Sequence, residues 1–151
     1  MKPKSIIAAA ALVSLFLLGD CSYFQNKFAR SVSATKGTVT VSGIQSRVTI
    51  RRDALGVPVV EADNEDDLFF GAGYASAADR LWQMYAMTMI MQGRLAEIAG
   101  DEVLTIDVFM RTIGARERVR AEMARMDRKQ IAILESYAKG VNAYLAKNPE
   151  L

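Results

Sequence analysis

The 151-residue sequence contains no histidine, a single cysteine and only three prolines. Without histidine the chain cannot assemble a Ser-His-Asp triad, a Cys-His pair or an HExxH zinc helix. One cysteine makes neither an intramolecular disulfide nor a cysteine-rich metal site. A strong charge of either sign is also missing. The formal net charge is +2 and the pI is near 8.8, so composition does not point to nucleic acid. What is present is 51% hydrophobic, 24% charged and 8% aromatic. That is too apolar for a disordered chain and too mixed for a polytopic membrane protein. The length fits one domain, or part of a larger one.

Residues 1–21 read as an export signal. Lys2 and Lys4 give a positive start, and Ile6 to Leu18 is an apolar run broken only by Ser14. A bilayer-spanning helix needs about 20 apolar residues, and this run is shorter. A signal peptide is the expectation, with an uncleaved anchor helix as the alternative. Cys21 follows directly in Leu17-Leu18-Gly19-Asp20-Cys21-Ser22. This resembles a bacterial lipoprotein signal, in which the cysteine receives the lipid, so Cys21 is a candidate lipid-attachment residue. Asp20 departs from the pattern, because the preceding residue is normally small and uncharged. The alternative is a free cysteine near an ordinary cleavage site. In either case the protein is expected to leave the cytoplasm for the periplasm or cell envelope. Membrane association is then expected only through the signal or the lipid.

Residues 22–37 mix polar and small residues without period and read as a tether. Thr38 to Val41 alternates as a short strand would. Arg47 to Ala62 reads as a β-hairpin, with Val48 and Ile50 on one face. Asp53-Ala54-Leu55-Gly56 supplies its turn, and Pro58 is placed at a strand start or edge. Asn64 then caps a long helix with acidic Glu65, Asp66 and Asp67 in its first turn. Its apolar stripe includes Leu68, Phe69, Leu81, Trp82, Tyr85, Met89 and Met91, expected to be core. Gly71, Gly73, Ala75, Ala77 and Ala78 are small enough to admit another element closely. Gly93 is expected to interrupt this helix. Gly100 is expected to end the turn after it, and a short helix follows over residues 107–113. Ala115 to Met126 reads as a charged, solvated helix with pairs at Arg118–Glu122 and Glu122–Arg125. Asp127 and Gln130 form a capping box for a last helix, with a stripe of Ile131, Leu134, Ala138, Val141 and Leu145. Asn148-Pro149 ends it. These stripes need a cover that one hairpin cannot provide, so the chain reads as the front of a larger fold or as one needing a partner.

Several blocks carry a resemblance. Arg51-Arg52-Asp53-Ala54-Leu55-Gly56-Val57-Pro58 leads to Ala62-Asp63-Asn64, Asp67-Leu68-Phe69-Phe70 and Gly71-Ala72-Gly73-Tyr74. Ala78-Asp79-Arg80-Leu81-Trp82-Gln83-Met84 follows, then Gln92 through Gly100, Asp107 through Arg111, and Tyr137 through Tyr144. As an ordered series over about residues 48–144, this resembles the start of the first chain of the penicillin acylase (penicillin amidase) family. Val59 stands where the family often has His, and Ala78 where it often has Gln.

The resemblance implies an α+β fold. The β-hairpin and several helices would form part of the four-layer α/β/β/α sandwich of N-terminal nucleophile hydrolases, with residues 38–151 an incomplete domain. It also implies an exported precursor that cuts itself into two chains. The second chain's N-terminal Ser attacks a linear amide, such as a penicillin or an acyl-homoserine lactone. Its own α-amine, with an ordinary pKa of about 7.7–8.0, serves as the base, so no histidine is required. The nucleophile, the oxyanion donors and any calcium ligands of the family lie beyond the matching blocks. No catalytic, cofactor-binding or metal residue is therefore assigned in this chain. A second chain and a small-molecule amide are the expected partners, and no nucleic acid is. Asp79, Arg80, Trp82 and Gln83 match a helix expected to support the central sheets by packing and charge-assisted hydrogen bonds. The Gly37–Thr38 junction and Cys21 are the places where a processed N-terminal nucleophile could hide within the chain. Alternatives to the hydrolase are a truncated, non-catalytic envelope module and a helical interaction protein.

Overall fold

The computed structural model describes residues 36–149. Residues 39–149 belong to one compact unit. It begins with an antiparallel hairpin, β1 (Thr49–Arg52) and β2 (Pro58–Glu61), in which Ile50 faces Val60 and Arg52 faces Pro58. The turn forms as its residues dictate. Asp53 Oδ1 accepts hydrogen bonds from the N–H groups of Leu55 (2.9 Å) and Val57 (2.8 Å). Gly56 takes the left-handed conformation at φ 81°. Pro58 opens β2, where its missing N–H is tolerated.

The helices follow as α1 (Glu65–Gln92), α2 (Ala96–Ala99), a 3₁₀ turn (Asp101–Val103), α3 (Leu104–Thr112), α4 (Ala115–Met123) and α5 (Arg128–Lys147). Asn64 caps α1 by accepting from the Asp67 N–H at 2.8 Å. Gly93, left-handed at φ 63°, ends it. The predicted box closes α5: Gln130 N–H donates to Asp127 Oδ1 (2.8 Å), and Asp127 N–H donates to Gln130 Oε1 (3.0 Å). No described helix is long and apolar enough to cross a membrane.

Small residues decide the packing. The hairpin lies on α1 at Gly71, where a Cβ would come within 2.6 Å of Val48 Cγ1 and Val60 Cγ1. The α1–α5 crossing is closer still. A Cβ on Gly73 would overlap the Tyr137 carbonyl, and one on Gly140 would overlap the Phe70 carbonyl. Each helix thus receives the other's backbone at a glycine. Phe70, Ala75, Ala77 and Tyr144 are buried around this crossing, and the Tyr74 and Tyr144 rings meet edge-on at 5.4 Å.

Several expectations are corrected. Residues 38–41 form no strand, because among the described residues no neighbouring strand offers them a ladder. The short helix begins at Leu104, ahead of residue 107, and α4 ends at Met123, ahead of Met126. Neither Arg118–Glu122 nor Glu122–Arg125 forms an ion pair among the described residues. The buried row of α5 is Ser136, Gly140 and Tyr144, while Leu134 and Leu145 of the expected stripe are exposed. Trp82, Tyr85 and Met91 are likewise exposed. Close backbone approach selected the small-residue faces, and the aliphatic faces were left outward.

Candidate functional site

The block from Asp79 to Gln83 occupies a break in α1. Arg80 has non-helical angles (φ −140°, ψ 22°), which divide the long helix into two arms. The residue before the break is held from the hairpin. Ile50, Arg52, Pro58 and Val60 alternate onto the half-buried face of the sheet, and Arg52 reaches from it to Asp79. Its two terminal nitrogens meet the two carboxylate oxygens at 2.9 and 2.5 Å. Arg52 Nη1 also donates to the Gly56 carbonyl at 3.0 Å. One guanidinium thereby ties turn, strand and helix break together in a bidentate pair. The hydrogen bond to Asp79 raises the Arg52 pKa further above its ordinary value, with partial burial opposing and the Asp79 charge assisting.

Beyond the break, Arg80 Nη1 donates to Gln83 Oε1 at 3.2 Å. Trp82 is 68% exposed, with its ring tilted against Tyr85 at a centroid distance of 5.9 Å. The expected charge-assisted network is therefore present at Asp79, while Trp82 does not pack into the described chain. The arrangement can fix an angle and present an aromatic surface. It supplies no activated nucleophile, because the carboxylate is committed to Arg52.

Two other carboxylates, unlike Asp79, are buried, and both hold backbone. Asp67 accepts from the N–H groups of Gln45 (2.8 Å) and Ser46 (2.7 Å) and from the Asn64 amide (2.8 Å). Burial pushes its pKa up, but the bonds from Gln45, Asn64 and Ser46 together outweigh burial and hold it below the ordinary value. Asp107 accepts from Leu95 N–H (2.7 Å) and Ala96 N–H (2.9 Å) at the start of α2. Beside it, Arg111 Nε donates to the Gly93 carbonyl at 2.8 Å. Sequence reasoning assigned neither aspartate this role. For Asp107 the signal was a single acidic residue on a mostly apolar short helix. Burial also raises the Tyr74 pKa, assisted by Tyr144.

Among the described residues no three His, Cys, Asp or Glu side chains come together to hold a metal ion. Thr38 is exposed, and Cys21 lies outside the described residues.

Comparison with known proteins places this scaffold. Residues 47–151 match the family model described as penicillin amidase. The chain is 40% identical over 139 residues to the acyl-homoserine lactone acylase QuiP of Pseudomonas aeruginosa, covering 91% of this chain and 16% of that protein. It is 31% identical over 115 residues to the penicillin acylase 2 proenzyme of a Pseudomonas species, covering 76% and 15% respectively. Among solved structures it is similar to a thermostable penicillin G acylase from Alcaligenes faecalis. The TM-score is 0.63 at 33% identity, over 72% of this chain and 57% of that one. The hairpin and helices are thus part of the N-terminal nucleophile hydrolase fold. On its family match and these relatives, of whose full length it spans only a small fraction, the chain belongs to the penicillin amidase family.

Proposed function

We propose that the chain is the N-terminal part of an exported amide hydrolase whose nucleophile, an N-terminal Ser, lies on a second chain outside these residues. Substrates are linear amides of the penicillin or acyl-homoserine lactone kind. The observation that carries this reading is the ordered family match over residues 47–151, with relatives named for both acylase activities. The share of those relatives that the chain covers, 15–16%, supports a larger protein to which these residues contribute scaffold. The proenzyme in one relative's name supports maturation by cutting. The absence of histidine is compatible with an α-amine base. Within that protein the hairpin and the broken α1 form a rigid support. Envelope targeting through residues 1–21, with lipidation at Cys21, belongs to the same proposal.

The test measures acyl release from a chromogenic N-acyl amide and from an N-acyl-homoserine lactone. The complete gene product is expected to hydrolyse at least one of them, and the 151-residue chain alone neither. Turnover by the chain alone, or none by a correctly processed complete product, would overturn the reading.

A further inference from the structure

α4 turns almost nothing inward. Ala115 is buried, and every residue from Arg116 to Met123 is exposed. Its charges are not matched either. Residues 111–129 carry seven basic and three acidic side chains, a surplus larger than the +2 of the whole chain. Arg116 and Arg120 make no hydrogen bond or ion pair among the described residues. At about 100° per residue, Arg116, Val119, Arg120 and Met123 fall within one arc of about 100°. Glu117 and Glu122 lie about 60° beyond its two edges. Val119 is 50% and Met123 44% exposed. The arc thus holds two guanidiniums and two apolar side chains, with no carboxylate among them. At its start Arg116 lines a cavity of about 400 Å³ together with Arg94 and Arg111, beside Met91, Met110 and a single acidic residue, Glu117. Arg94 is neutralised by Glu97, to which it donates at 2.8 and 2.7 Å. Arg111 spends only its Nε, on the Gly93 carbonyl, and its terminal nitrogens have no partner among the described residues. Two uncommitted guanidiniums from different helices, Arg111 and Arg116, therefore border one concave space.

We propose that the Arg116–Met123 row of α4, with the arginine-lined cavity at its start, is a docking surface for an anionic membrane. The cavity takes a lipid phosphate, and Val119 and Met123 enter the headgroup layer. The proposal rests on the reading of the protein as exported, which brings it beside a membrane. It adds a contact to the association expected through the signal or the lipid. Charge favours a lipid surface over a protein one. Guanidinium donors form a fork that matches phosphate oxygens. Lipid phosphates are mobile and can serve both arginines, whereas a protein cover needs carboxylates built at matching positions or leaves charge buried and unpaired. Basic and apolar side chains on one helix face are the pattern of an interfacial helix. With nine residues in α4, the contact is weak, reversible and sensitive to salt.

The test floats the complete, mature gene product with vesicles of phosphatidylcholine alone and with vesicles that also contain phosphatidylglycerol. Severalfold more protein is expected on the anionic vesicles. That excess should vanish at about 1 M salt, where the screening length is about 3 Å. A lipid on Cys21 would hold protein on both kinds of vesicle and withstand salt, so it does not imitate this result. Arg116→Glu with Arg120→Glu is expected to abolish the excess. Arg118→Glu with Arg125→Glu makes the same change in net charge away from the row and is expected to keep at least half of it. All four side chains are exposed, and unchanged circular dichroism checks that both variants fold. Equal binding to the two kinds of vesicle, or none to either, would overturn the proposal. So would equal loss in the two variants, which marks a general charge effect. Displacement by inorganic phosphate at constant ionic strength would make the cavity a free-anion site and contradict lipid docking. Export is scored separately by cell fractionation. A cytoplasmic product removes the targeting reading, whereas an exported product without the anionic excess removes only the docking surface.

Discussion

Asp67 and Asp107 are spent on backbone amides. Asp67 ties residues 45 and 46, just before the hairpin, to the first turn of α1. Asp67→Asn turns one acceptor edge into a donor facing a donor and leaves a buried N–H unpaired, at a cost of about 1–3 kcal/mol. A lowered denaturation midpoint of the mature protein is the expected readout. Because the folded-state pKa of Asp67 is depressed, its contribution is fully present above the ordinary aspartate range and is lost as pH falls through the folded value. Stability measured downward from about pH 4 should therefore fall less steeply in Asp67→Asn than in the parent protein. The glycines at the α1–α5 crossing act at the same scale. Gly73→Ala or Gly140→Ala drives a methyl group into a backbone carbonyl, and the helices must separate. We expect a loss of about 2 kcal/mol or more for either, despite the better helix propensity of Ala. Gly100→Ala, with open space around its Cβ position, should cost only what its positive φ imposes.

Elements with local signals were legible in the sequence. The Asp53–Gly56 turn, the Asn64 cap and the Asp127–Gln130 box each place a short polar side chain within reach of nearby backbone, so a few residues decide them. The buried faces were less legible. The stripe of Leu134 and Leu145 looked like core, yet α5 buries Ser136, Gly140 and Tyr144. Hydrophobicity carries no record of how close two backbones come, and here that distance decided the outcome. The break at Arg80 was also invisible, because neither Pro nor Gly marks it. Its support, the Arg52–Asp79 pair, spans 27 residues of sequence. Removing Arg52 is expected to loosen the hairpin from α1 at a cost of about 1 kcal/mol. Arg52→Lys should recover less than half of that, since an ammonium cannot form the bidentate contact. Amide hydrogen exchange over Thr49–Glu61 would report the loosening directly.

At the scale of the whole molecule, exposed Trp82 and the outer faces of α3 and α5 describe a scaffold with more apolar surface than it can cover. A single hairpin is a small platform for helices of this length. The family was legible from the order of short motifs, none decisive alone. The chemistry was not legible, because the described residues hold paired carboxylates and no activated nucleophile. The proposed nucleophile is a Ser at a new N-terminus outside this chain. The most direct measurement is covalent trapping of the complete, mature product with an acylating probe, followed by peptide mass spectrometry. The account predicts a single acyl adduct on an N-terminal Ser of a peptide beyond residue 151. An adduct on Thr38, Cys21 or any other residue within 1–151 would contradict it.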